Sequence, residues 1–419
     1  MSDAFEPLPE TLSRAAEPRS ALIMPTLIAF LPLASLATVY FVLPVVAPAL
    51  TAQVGLPPEA YGWLGGAIGA GSVTYYIVSH AITPVLGPVG ALRLGLLISI
   101  IGTLLLMSGT WSLMLLGGAM TGFGYGATTP SGSQILADFT PKTSWATLFS
   151  LRQAGVPAGG VLAASVACYA LEDYGSSVAL CGALIPVLLT TAFLFTTPNH
   201  FNLARPLERF SAARLFDWHN VLQPVRNIRQ VDGLATLVAA GAGLAMGHGA
   251  VTQFLVIYLN SGLGMPLARG AMLFAIMQAC AIAGRVIMGA LVDRFGSPMS
   301  ALRLLAPLSA CSCITLAMFA ADWPLAIQIT ATVVIGMTVG TWNGVYLAEI
   351  ARRSPSSQIS SATASSAVFT FLAYMVTPPL VGALAASLGW RPTFMLIALA
   401  PLSAGLLLSW PAQRAAAKE

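Results

Sequence analysis

Two arginines stand where charge is costly. Arg152 lies a few residues into the apolar segment that opens LFSLRQAGVPAGG at 148–160 and runs on through LAASVACYAL, and Arg285 lies within CAIAGRVIMG. A guanidinium keeps its proton and presents five N–H donors in a planar fork, the geometry that grips a carboxylate or similar oxyanion at two points. No Asp or Glu lies deep in an apolar segment to neutralise either one, since Asp138, Asp232 and Glu349 fall at segment ends. At the centre of a bilayer such a cation costs at least about 2.5 kcal/mol. Two readings follow. An anionic ligand is the missing partner, or the side chains snorkel over the roughly 10 Å that separates them from the segment ends and bond to helix-end carbonyls or neighbouring loops.

Other groups could share such a site. His248, in GLAMGHGAVTQF, is the histidine well inside the seventh apolar segment, and its ordinary pKa of about 6.5 makes it the candidate for proton coupling; a neutral ring bonded to a neighbouring helix is the alternative. Gln278 falls on the same helical face as Arg285, and Tyr40, Trp342, Asn343 and Tyr374 are expected to line a cavity or to pack. Gly155 and Gly159 lie on or beside the face of Arg152, with Pro157 between them, and should let a neighbouring helix come close.

The segments that carry these residues are set by composition. Of 419 residues, 57% are hydrophobic and 8% charged, against roughly a quarter charged in a soluble domain, so the chain belongs in a bilayer. A mean hydropathy of +0.81 agrees. About 30 Å of hydrocarbon needs about 20 helical residues, and twelve runs reach that length: 21–50, 61–82, 91–110, 113–138, 145–171, 176–197, 231–260, 267–290, 300–320, 324–350, 358–386 and 390–411. The one long polar connector, 198–230, divides residues 21–197 from residues 231–411, with tails at 1–20 and 412–419. Its FSAARLF could form an amphipathic surface helix or a solvated linker.

Basic residues orient the chain. The connectors on the side of the N-terminus hold fifteen Lys and Arg, and those on the other side hold two, Arg269 and Arg391, so both termini are expected in the cytoplasm and the protein in the inner membrane. The halves echo each other as well. GVPAGGVLAASVACYALEDYG parallels VTPPLVGALAASLGW, and VLGPVGALRL parallels RFGSPMSALRL, a repeat that points to a transporter with its site between the halves.

GALVDRFG, 289–296, marks the turn after the eighth segment: Gly289 permits close packing, Asp293 can accept from helix N-terminal amides, and Arg294 can pair with an acid. At that place in a six-helix half the string resembles the major facilitator superfamily, over nearly all of residues 21–411. The resemblance implies an all-α integral membrane protein of twelve transmembrane helices in two pseudo-symmetric six-helix bundles, rocking about a central cavity. It also implies that Gly289, Asp293, Arg294 and Gly296 latch one state, with Glu349 and Arg352 as plausible partners. The first half departs from the pattern, with Pro84 where the acid belongs and His80 where the first glycine belongs, and Gly118 stands where many members carry an arginine.

An arginine on the eighth helix resembles the monocarboxylate and oxalate/formate branches, although Ala281 replaces their acid and the eleventh segment has no lysine. The expectation is a secondary transporter for a small organic anion, proton-coupled or exchanging, monomeric, with no cofactor and no metal site. The alternative is an efflux antiporter for amphipathic compounds. The basic residues form no stripe with interleaved aromatics, which excludes nucleic acid, and neither HExxH, GxSxG nor GxxxxGK[ST] occurs, which argues against an enzyme or an ATP-driven pump.

Overall fold

The computed structural model describes residues 19–141, 145–170, 174–202, 218–295, 297–355 and 359–409. No strand occurs among them. Fifteen α-helices follow in chain order: α1 Arg19–Gln53, α2 Tyr61–Leu106, α3 Trp111–Phe139, α4 Trp145–Gln153, α5 Gly155–Ala170, α6 Ser176–Thr196, α7 Trp218–Arg229, α8 Leu234–Ile257, α9 Leu267–Phe295, α10 Pro298–Met318, α11 Leu325–Val339, α12 Trp342–Arg353, α13 Ile359–Leu388, α14 Trp390–Ile397 and α15 Leu399–Ser409. FSAARLF lies outside the described residues. The connector helix that is described, α7, follows it and packs on the start of α13, where Asn227 Nδ2 donates to Ser365 Oγ at 3.1 Å.

Helices and apolar segments do not correspond one to one. Nine described stretches are long and apolar enough to cross a membrane, against twelve segments in the sequence. The second and third segments run together as α2, whose 46 residues would span about 70 Å if straight, over twice the hydrocarbon layer. They are two limbs: Gly87 has φ 71° and ψ 169°, outside helical geometry, and α2 doubles back there around α3. Gly122 of α3 abuts the backbone of Ile68 in the first limb, while Gly124 abuts Gly95 and Ser99 in the second. α3 is rich in glycine, and the fifth segment breaks at Ala154 into α4 and α5, so neither counts as a span on length and composition.

The repeat seen in the sequence is also a repeat of contacts. Arg93, at the start of the second limb of α2, donates to the carbonyl of Leu194 at the end of α6 (2.7 Å), and Arg303, at the start of α10, donates to Leu408 at the end of α15 (2.8 Å). Gly175 and Gly389 precede α6 and α14 with nearly the same backbone, φ 83° and 82°. Two seams join the halves. α5 lies along α9, and the first limb of α2 lies along α13, where Gly62, Gly65, Gly66 and Gly69 rest on Pro378, Pro379 and Met375. Side chains such as Ile185, Leu189, Val286 and Leu406 are exposed on the outer surface, the apolar belt that a bilayer covers.

Glycine-to-alanine substitutions should separate close packing from mere permissiveness. Gly122→Ala drives a methyl into the Ile68 backbone and should lower the thermal unfolding temperature in detergent, corresponding to about 1–3 kcal/mol. Gly289→Ala meets nothing within 4 Å and removes a helix-weakening glycine, so it should be neutral or stabilising by up to about 1 kcal/mol.

Candidate functional site

Arg285 lies on α9, between two helix breaks. Its Nε donates to the carbonyl of Gly340 at 2.9 Å, and its Nη1 donates to the carbonyl of Gln153 at 2.7 Å. Gly340 ends α11, where the tenth segment breaks. There Thr341 folds its own hydroxyl back onto the Met337 carbonyl at 2.6 Å. Gly284 lets α9 reach this break, since a Cβ there would lie 2.6 Å from Thr341 Oγ1. Gln153 ends α4, where the fifth segment breaks. Pro157 lies four residues on and has no N–H to give that carbonyl. Arg285 thus ties the two halves together through backbone oxygens, and its Nη2 makes no hydrogen bond among the described residues.

Arg152 is placed differently. It is 1% exposed, and its donors go to its own half: Nη2 to the carbonyls of Thr128 (3.0 Å) and Thr129 (3.3 Å), Nη1 to Ser133 Oγ (3.2 Å). Gly132 opens the way, because a Cβ there would stand 2.7 Å from Arg152 Nε. Arg152 thus takes the second reading, bonding to helix carbonyls, while Tyr76 and Tyr125 lie within electrostatic reach of it and its Nε has no hydrogen-bond partner among the described residues. A carbonyl carries two lone pairs, so α3 can accept from Arg152 while keeping its own ladder, and this cation is absorbed into the wall. Gly155 and Gly159 lie against α1, at Phe30 and at Ala34 to Thr38 respectively.

A group of aromatic side chains lies near Arg285. Tyr125 and Tyr374 are within electrostatic reach of its guanidinium. Tyr125 stacks on Tyr40 at 5.0 Å and 18°, and Phe371 bridges Tyr125 (6.4 Å), Tyr374 (6.1 Å) and Tyr76 (4.9 Å). Tyr374 Oη is 2.8 Å from Nδ1 of His248, whose ring is buried. These half-buried rings come from α1, α2, α3 and α13, and so from both halves of the chain. Tyr125, Tyr76 and Phe371 were not singled out from sequence, where they are aromatic residues among many in apolar runs; the glycines flanking Tyr125 in GFGYGA were the available signal.

Several expectations fall elsewhere. Trp342 is fully buried in the core of the second half against Tyr346 (5.5 Å), with His248 at 6.5 Å, so it packs and does not line a cavity. Gln278 is buried where α9 meets Gly160 of α5, and Asn343 is half-buried. A void of about 10 Å³, bounded by His248, Thr252, Gln278 and Gly340, approaches the size of one water. Gly289 stands in open space and supports no close approach in this state. Glu349 is fully buried and held by its own helix, by Arg352 at 2.8 and 2.9 Å and by Arg353 at 2.7 Å; Arg294 is exposed. Gly296 lies outside the described residues, and Asp293 is described only as part of α9.

The halves are shut against each other at one face. On the side of the turns after α1 and α13, the glycines of α2 close on the prolines of α13, and Gln253 of α8 spans the halves just beneath: it accepts from Tyr61 Oη (2.5 Å) and donates to Tyr40 Oη (2.7 Å). Removing the bridge should expose its energetics. Gln253→Leu strands two hydroxyls and should cost about 1–3 kcal/mol of stability, read as a lower unfolding temperature, and adding Tyr61→Phe should restore part of the loss.

Comparison with known proteins agrees with this architecture. A sequence profile described as Major Facilitator Superfamily matches residues 28–370. The cis,cis-muconate transport protein of Acinetobacter baylyi is 25% identical over 167 residues, a match covering 39% of this chain and 40% of that relative. Among solved structures, a bacterial homologue of the human lysosomal transporter Spinster, in an inward-facing and unoccupied conformation, superposes with a TM-score of 0.74 at 16% identity over 96% of this chain and 98% of that one. The D-xylose-proton symporter gives 0.70 at 14% identity over 93% and 97% of the two chains. The human organic anion transporter MFSD10 (TETRAN) gives 0.66 at 14% identity over 93% and 99%.

Proposed function

The chain belongs to the major facilitator superfamily, a multi-pass membrane transporter and not an enzyme, and on that premise we propose that it moves a small organic anion across the inner membrane by alternating access. The observation that carries this reading is Arg285: a guanidinium deep in the apolar layer, with no carboxylate partner, anchored on one side by carbonyls, with Nη2 left over and a group of tyrosines nearby. A carboxylate entering there would take the free edge, with the hydroxyls of Tyr125 and Tyr374 as further donors and the rings of Tyr40 and Phe371 as walls. The partial kinship with a muconate transport protein and the fold shared with an organic anion transporter support the same class.

With the basic connectors in the cytoplasm, the shut face is the outer one. A shut outer face supports reading this arrangement as the inward-accessible state, with the latch residues Asp293 and Arg294 engaging when the halves rock the other way. Aromatic walls also suit an efflux carrier for amphipathic compounds. Stimulation by anions favours the first function, and stimulation by lipophilic cations the second.

Arg285→Lys keeps the charge but loses the fork, and it should reduce anion uptake into proteoliposomes by about tenfold or more while the protein stays folded. Uptake equal to the parent would remove Arg285 from the site. For coupling, His248 is the candidate through its bond to Tyr374. His248→Gln should alter the dependence of uptake on pH, and an unchanged profile would remove His248 from proton coupling.

A further inference from the structure

Pro157 belongs to the fifth segment and Arg285 to the eighth, yet one determines the partner of the other. In an unbroken helix the Gln153 carbonyl would accept the N–H of residue 157. Pro157 has none, and the Gln153 carbonyl instead accepts Nη1 of Arg285 from the opposite half. Pro157 is itself buried, in a stretch where Gly159 packs on α1 and Gly160 on Gln278 of α9, so water is not a ready substitute. The other end of the guanidinium is fixed in the same manner, at the carbonyl of Gly340 where α11 stops.

We propose that Pro157 is a positioning residue for Arg285: by orphaning the Gln153 carbonyl it holds the guanidinium across the seam between α5 and α9 and leaves Nη2 free to meet a ligand. The guanidinium then serves as a strap with two backbone anchors, one per half, and a third edge for a ligand. A helix break in each half supplies an anchor, which explains why both breaks lie beside α9. With Nε and Nη1 engaged, the remaining edge has a fixed direction, and an anion meets a pre-oriented donor instead of a mobile side chain. That last step rests on the reading of Arg285 as the anion's ligand; the strap itself does not.

The test is a double-mutant cycle in purified protein without any anion, using Pro157→Ala, Arg285→Gln and the pair, read by thermal unfolding. Alanine restores the N–H at 157 and suits a helix, so Gln153 regains a donor within its own chain segment. The expected result is coupling: Arg285→Gln lowers the unfolding temperature of the parent by more than it lowers that of Pro157→Ala. Additive shifts overturn the proposal. Pro157→Ser carries the same N–H and serves if the alanine variant is not recovered folded. In proteoliposomes with benzoate, muconate and lactate as probes, Pro157→Ala should raise KM about tenfold for whichever probe the parent carries, with Vmax within about twofold, because the guanidinium edge is loosened and not removed. Coupled unfolding with an unaltered KM would keep the strap and overturn the orientation of Nη2 towards an anion.

Discussion

Inside an apolar layer every backbone carbonyl must find a donor within the protein, and the structure of this transporter turns on the places where helices break that rule locally. The fifth segment breaks at Ala154 and the tenth at Gly340, each leaving a carbonyl without its usual amide. Of the two arginines that looked misplaced in a hydrophobic sequence, Arg285 answers this need, whereas Arg152 donates to carbonyls of α3 that keep their own ladder. Arg152 serves α3, and Arg285 serves both breaks at once. Cation and orphan carbonyl each lower the cost of burying the other, which is why neither needs a carboxylate.

The two seams between the halves solve one packing problem in different ways. Where α2 meets α13, glycines on one helix take the proline-bearing surface of the other, and backbone lies directly on backbone. Where α5 meets α9, the proline-freed carbonyl is met by a side chain from across the seam. The first arrangement is a close contact without strong directional bonds and can part. The second carries a charge-assisted hydrogen bond between the halves. The sequence repeat that relates α5 to α13 puts both arrangements on similar segments.

The surroundings of the strap connect packing to transport. The polar bridge of Tyr61, Gln253 and Tyr40 closes one face between the halves, and the rings of Tyr40, Tyr125, Phe371 and Tyr374 begin just below it. Tyr40 belongs to both groups, so a ligand that displaces its ring also disturbs the bridge. His248 joins Tyr374 to the second half's core at Trp342, and Tyr374 lies within electrostatic reach of Arg285.

Composition, apolar run length and charge placement by themselves determined that this chain is a helical membrane protein with two related halves, because hydrocarbon admits little else. The DRFG turn and the repeated GALRL and SALRL strings went further, to the family and to equivalent arginines, since those positions depend on residue type. The sequence also showed that Arg152 and Arg285 lack acids. Only the tertiary structure decided what they bind. Their acceptors are main-chain oxygens of Thr128, Thr129, Gln153 and Gly340, brought close by packing, and a carbonyl is present at every residue whatever its type. For the same reason the aromatic group around Arg285 could not be read in advance: Tyr40, Tyr125, Phe371 and Tyr374 are ordinary members of apolar segments, and only the crossing of helices from both halves makes them neighbours.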